Sequence, residues 1–131
     1  MLSITNYKLF EDISEFLFEG HRVNLHDDFE CTQIKFVGES GLFVFTFKHL
    51  EERQFVELQF HNARLSSLDF NFPLNANAST LEIFYRGRFE EDGILKEVTI
   101  NNEKIFYLEF NEGVAINLFA RQVTLDIKQI T

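Results

Sequence analysis

The stretch Val56-Glu57-Leu58-Gln59-Phe60-His61-Asn62-Ala63-Arg64-Leu65 decides the fold of this 131-residue chain. Val56, Leu58 and Phe60 alternate with Glu57 and Gln59, the period of two that puts apolar side chains on one face of a strand. The alternation slips by one residue at Asn62-Ala63. Such a slip turns every later side chain to the other face, so a bulge or a corner is expected there. Val114, Ile116, Leu118, Val123 and Thr124 repeat Val56, Leu58, Phe60, Leu65 and Ser66 at a constant offset of 58, with a second slip at Arg121-Gln122.

Upstream of both stretches the likeness continues. Ile34 and Phe36 correspond to Val98 and Ile100, and Phe43, Phe45 and Phe47 to the run from Phe106 to Phe110. The loop from Lys48 to Gln54 is longer than its counterpart at Asn111 to Gly113. Each half reads as strand, turn, long aromatic strand, turn, strand, kink, strand. An antiparallel meander also resembles itself, so duplication and plain likeness both stay open. Further alternation at Leu81, Ile83 and Tyr85 brings the expectation to about nine strands. Asn101-Asn102, Asp92-Gly93 and Asn111-Glu112-Gly113 supply residues tolerant of positive φ, as tight hairpin turns need. Asn71 to Ser79, with Pro73, reads as the one long loop.

The first thirty residues differ from the rest. Leu9 to Glu30 holds seven acids against one base, Arg22. Phe10, Ile13, Phe16 and Leu17 recur at helical spacing and Gly20 follows as a stop, which predicts a short amphipathic helix over 10–19 lying on a sheet. The fold expected is therefore mainly β: an antiparallel β-sandwich or strongly curled meander with one short N-terminal helix. It fills a single domain, an acidic segment over 1–30 followed by the meander over 31–131.

Composition narrows the partners. Twelve basic against 21 acidic residues give a formal net charge of −9, which repels phosphate backbones and anionic lipid and suits a basic partner. Nucleic acid and membrane are accordingly not expected as partners. No apolar run approaches the roughly 20 residues of a membrane span, and Met1 to Phe10 lacks the pattern of a signal peptide, so a cytoplasmic location is expected.

Chemistry-bearing residues are few. His26-Asp27-Asp28, with His21 five residues earlier, matches no metal-ligand spacing and reads as an acidic loop capping the first strand or as a partner-binding loop. Cys31 sits among acids that would raise its pKa, so it reads as an inert thiol. His49 and His61 flank one strand, and Ser66 and Ser67 follow, without a nucleophile elbow around them. Arg86 and Arg88 straddle Gly87 and are expected to pair with Glu90, Glu91 and Asp92 on the outer face. The expectation is a protein without catalytic residues, metal or cofactor.

Seventeen Phe and three Tyr are more than one core face needs. With Leu81, Ile83 and Tyr85 inward, Phe84 faces out, and Phe55, Ile105, Tyr107 and Phe119 oppose the inward set in the same way. An apolar second face is covered by something. The expected cover is the helix at 10–19. The alternatives are a partner chain, a second copy, or a small ligand in a cavity lined by several of Phe43, Phe45, Phe84, Tyr107 and Phe119.

The acidic N-terminal element, the His26-Asp27 step and the Phe-rich meander ending in Val56 to Leu65 resemble the small all-β immunity proteins of bacterial polymorphic toxin systems. The resemblance implies a non-enzymatic domain that masks a toxin, and the charge suits a basic one; monomer and homodimer both stay open, the latter through the aromatic face. Only the His26-Asp27 step carries over as a family feature. The segment His26, Asp27, Asp28 and Glu30 is the expected partner contact, with Phe55, Phe84, Tyr107 and Phe119 as the alternative aromatic face.

Overall fold

The computed structural model describes residues 2–5, 14–69, 80–87, 89–96, 99–100, 102–111 and 113–129. All regular structure among them is strand, numbered here in chain order. The first half holds β1 (Leu2–Ser3), β2 (Glu15–Phe18), β3 (His21–Asn24), β4 (Phe29–Val37), β5 (Leu42–His49), β6 (Gln54–His61) and β7 (Arg64–Asp69). The second holds β8 (Leu81–Arg86), β9 (Phe89–Glu91), β10 (Ile94–Lys96), β11 (Thr99–Ile100), β12 (Glu103–Phe110), β13 (Ala115–Ala120) and β14 (Gln122–Gln129). These outnumber the nine strands that alternation predicts, because the short hairpin strands are too brief to show a period.

The strands form two five-stranded antiparallel sheets and two small hairpins, β2–β3 and β9–β10. One large sheet runs β1-β14-β6-β5-β4. The other runs β11-β12-β13-β7, with β8 beside β11 on the free edge of β12. Replacing β4, β5, β6 and β14 by β11, β12, β13 and β7 converts the first order into the second, so each half lends its last strand to the other's sheet. Register agrees as well: Phe43 pairs with Phe60 and Phe45 with Leu58, as Phe106 pairs with Leu118 and Leu108 with Ile116. Val123 opposite Phe60 mirrors Leu65 opposite Leu118.

The two alternation slips are the corners where these strands leave one sheet and enter the other. Asn62 takes a φ of 50°, and the Arg121 amide donates to the His61 carbonyl at 3.1 Å, so the corners lie side by side. Gly41 backs them with a φ of 61°; the Ala63 amide donates to its carbonyl at 2.7 Å, and a Cβ at Gly41 would lie 3.2 Å from the Ala63 oxygen. Strands that switch sheets at bends are one way that packed sheets make corners.

One apolar core lies between the sheets. Phe60 meets Phe45 at 5.4 Å, Phe84 at 6.0 Å and Phe106 at 5.5 Å, and Phe45 stacks on Phe110 at 6.3 Å. Rings at these separations add about 0.5–1.5 kcal/mol per pair beyond the area they bury.

Several expectations are corrected. Where residues 14–19 were expected in the helix, Glu15–Phe18 is a strand paired with His21–Asn24. Phe16 is 2% and Leu17 64% exposed, an alternation of two, and Glu19 and Gly20 both take positive φ, as a type I′ hairpin turn requires. Residues 10–13 of that expectation, and the loop Asn71 to Ser79, lie outside the described residues. Among the described residues no sheet is closed or curled.

Phe84 faces the core, not the outer surface. The register of β8 against β12 shifts between Glu109 and Phe110, a bulge that reverses parity after Leu81. The same bulge leaves Ile83 37% exposed and buries Arg86, which was expected on the outer face; Arg88 is outside the described residues. Ile34 and Phe36 are 45% and 53% exposed beyond a register shift in β4. The turns at Asp92-Gly93, at Asn102 and at Gly113 have the positive φ that the sequence predicts.

Candidate partner-binding surface

The acidic loop between β3 and β4 is built around Asn24, which is 8% exposed. Its side-chain oxygen accepts from the amides of His26 at 3.0 Å and Asp27 at 2.9 Å, and its amide group donates to the Asp27 carboxylate at 3.1 Å. This Asx turn gives the polar backbone of the loop partners that do not require a sheet. The amide of Asp28 closes the turn on the Asn24 carbonyl at 3.1 Å, and Leu25 plugs it into the core at 0% exposure.

His26 is a tether. Its Nδ1 lies 2.7 Å from the Leu81 carbonyl, which can only accept, so Nδ1 carries a proton and donates. The ring also stands 3.7 Å from carboxylate oxygens of Asp27 and Glu82. The residue thus holds the loop against the start of β8, at the bulge that sets the parity of that strand.

A second loop joins the first. The Leu50 amide donates to the Asp28 carbonyl at 2.9 Å. His49 Nδ1 accepts from the amides of Glu51 at 3.0 Å and Glu52 at 2.9 Å, so this ring carries its proton on Nε2 when neutral. Asp27, Asp28, Glu51 and Glu52 are all exposed, and Leu50 stands among them 56% exposed. Glu30 is half-buried on β4, opposite Lys48 in register. The four residues expected from sequence therefore divide: Asp27 and Asp28 share the exposed surface, His26 turns to β8, and Glu30 lies along the strand beside a lysine. Leu50, Glu51 and Glu52 complete the surface and were not singled out by sequence, since only the pairing of β4 with β5 brings their loop to Asp28.

Beside this surface a cleft of about 680 Å³ opens between the β2–β3 hairpin and the first large sheet. Val23 and Phe29 are buried in its wall with Ile127 beside them; Glu19, Asp28 and Glu52 stand at its rim. Arg22 also lines it, but Nε and Nη2 of Arg22 hold the two oxygens of Glu15 at 2.6 and 3.0 Å. That carboxylate raises the Arg22 pKa through its hydrogen bond first and its charge second.

The alternative aromatic face is dispersed. Phe84 is core, Phe119 is 7% exposed under the Arg64 guanidinium at 4.3 Å, Tyr107 stacks on Tyr85 at 5.0 Å, and Phe55 is half-buried between Lys48 and Lys128 in register. Phe43 and Phe45 are packed in the core, and none of the five residues proposed to line a ligand cavity borders the cleft. Cys31 is buried, and burial pushes its thiol up to about 12 against a small opposing contribution from the Gln33 carbonyl. The neighbouring acids are not what raises it. Among the described residues no cluster of three or more His, Cys, Asp or Glu is placed to hold a metal, and no helix is long and apolar enough to cross a membrane. No protein-family model and no curated protein matches the chain.

Proposed function

We propose that this is a non-enzymatic protein-binding domain, an inhibitor of the immunity type that masks a basic protein partner with its acidic end. The two large sheets are read as the layers of a sandwich that holds this end rigid. The observation carrying the proposal is the hydrogen bond from the Leu50 amide to the Asp28 carbonyl, which joins two acidic loops around one exposed leucine. An apolar anchor with a charged rim is the anatomy of a protein interface, and the sign of the rim selects a basic partner and speeds its approach. The resemblance to toxin-immunity proteins supports a basic toxin as that partner.

The loop between β5 and β6 is also longer than its counterpart. Six residues separate Lys48 from Phe55, the last pair of that hairpin, whereas three separate Phe110 from Val114, whose carbonyl accepts from the Phe110 amide. A sheet gains nothing from such an extension, while a binding surface does. Affinity capture with washes of rising salt, followed by reconstitution with the purified partner, tests the proposal. A stoichiometric basic protein released by salt is expected. A partner that binds equally well after reversal of Asp27, Asp28, Glu51 and Glu52 to Lys would overturn it.

A further inference from the structure

Resting on that reading, we infer that the cleft between the β2–β3 hairpin and the sheet receives an arginine side chain of the partner. The cleft has a shape and a lining that the acidic surface outside it lacks. Part of its wall is apolar, where a side-chain stem would lie: Val23 and Phe29 are 5% and 2% exposed, with Ile127 beside them. The ring of His49 stands edge-on to Phe29 at 4.9 Å and is held by the two amides of the next loop, so this wall is fixed before anything binds.

Charge then decides the occupant. Glu19, Asp28 and Glu52 stand at the rim, and none has an ion-pair partner among the described residues. Among the described residues the one Lys or Arg lining the cleft, Arg22, is engaged by both oxygens of Glu15. An anion is repelled by this rim, and an apolar group leaves the carboxylates without a partner. A cation on an aliphatic stem satisfies both parts. Between the two such side chains, the planar and weakly hydrated guanidinium suits ring walls and several carboxylates at once, whereas an ammonium keeps its water. Asp28 belongs to the cleft rim and the acidic surface alike, so one docking event engages both.

The test is a titration of the full chain with n-butylguanidinium, n-butylammonium and n-butylsulfonate, followed through the methyl resonances of Val23 and Ile127. The expected result is a saturable shift at both methyls with guanidinium, weaker with ammonium and absent with sulfonate. The combined Asp28→Asn and Glu52→Gln change, at two exposed positions, is expected to weaken guanidinium binding about tenfold, as loss of charge-assisted hydrogen bonds does. Equal shifts with ammonium would overturn the assignment to arginine. Shifts at the exposed loops with none at Val23 and Ile127 would overturn the cleft as the site while leaving the acidic surface as the binding face. Failure of the parent reading shows separately, as a partner whose association ignores salt.

Discussion

At one end of the molecule the first half reaches from β3 to β4 through Leu25 to Asp28 and from β5 to β6 through Leu50 to Arg53. At the equivalent end of the second half, where Phe110 pairs with Leu81, β12 turns back to β13 through Gly113, whose amide bonds the Phe110 carbonyl at 3.3 Å. Both halves carry, after one strand, a hairpin closed on two positive-φ residues, Glu19-Gly20 and Asp92-Gly93. The scaffold is therefore shared and the loops are not. What differs between two equivalent ends of one fold is what the fold does not need, and here the difference, the loop from β5 to β6, is acidic, exposed and ordered by His49.

The comparison breaks most severely at the core, where the halves ought to behave alike. Phe60→Ala and Leu118→Ala occupy equivalent positions, and both side chains are fully buried. Each is expected to cost about 3–5 kcal/mol, since deletion leaves a cavity among rings and branched chains that cannot close on it. Chemical denaturation measures both. A cost below about 1 kcal/mol at either position would show that one sheet contributes little to the shared core.

That core was legible because period-two alternation and a slip of one residue are local signals of geometry. Val56 to Leu65 announces its own corner. Its counterpart around Arg121 does the same, although neither announces which sheet the following strand joins. The hairpin at Glu15 to Asn24 was not legible, since Phe10, Ile13, Phe16 and Leu17 satisfy a helical spacing while Glu19-Gly20 satisfies a hairpin turn. Pairing with β3 decides between them. Phe84 was misassigned because a bulge in β8 leaves no mark on composition. Of the binding surface, Asp27 and Asp28 were legible as charge, whereas Leu50 and Glu52 needed the register of β4 on β5.

Cys31 sharpens the comparison in alkali. Its folded thiol lies above the ordinary value, so the neutral form is what folding favours. The resulting stability is complete below the unfolded value near 9.0 and is lost as pH rises through about 12. A denaturation series over that range is expected to fall in the parent chain and less in Cys31→Ala. At neutral pH a thiol reagent is expected to label Cys31 only on unfolding.

Smaller effects separate the two ends. Asn24→Ala removes the acceptor for two amides and the donor to Asp27, and is expected to cost about 1–3 kcal/mol. Amide exchange at His26 and Asp27 should quicken with it, while exchange at Gly113 stays unchanged. Gly41→Ala must hold a side chain at positive φ close to the Ala63 carbonyl, for about 1–2 kcal/mol. Leu50→Ser, on an exposed loop, is expected to alter stability by no more than about 0.5 kcal/mol. Its effect should appear in binding alone.

The central claim is that the acidic loops, and not the shared scaffold, meet the partner. Stopped-flow association of the reconstituted basic partner measures this most directly, with the parent chain and its Asp27→Lys, Asp28→Lys, Glu51→Lys, Glu52→Lys variant compared at low and high salt. The account predicts association at least about tenfold slower in the variant at low salt, with the two chains converging at high salt, as steering by charge requires. Equal rates at low salt would contradict it.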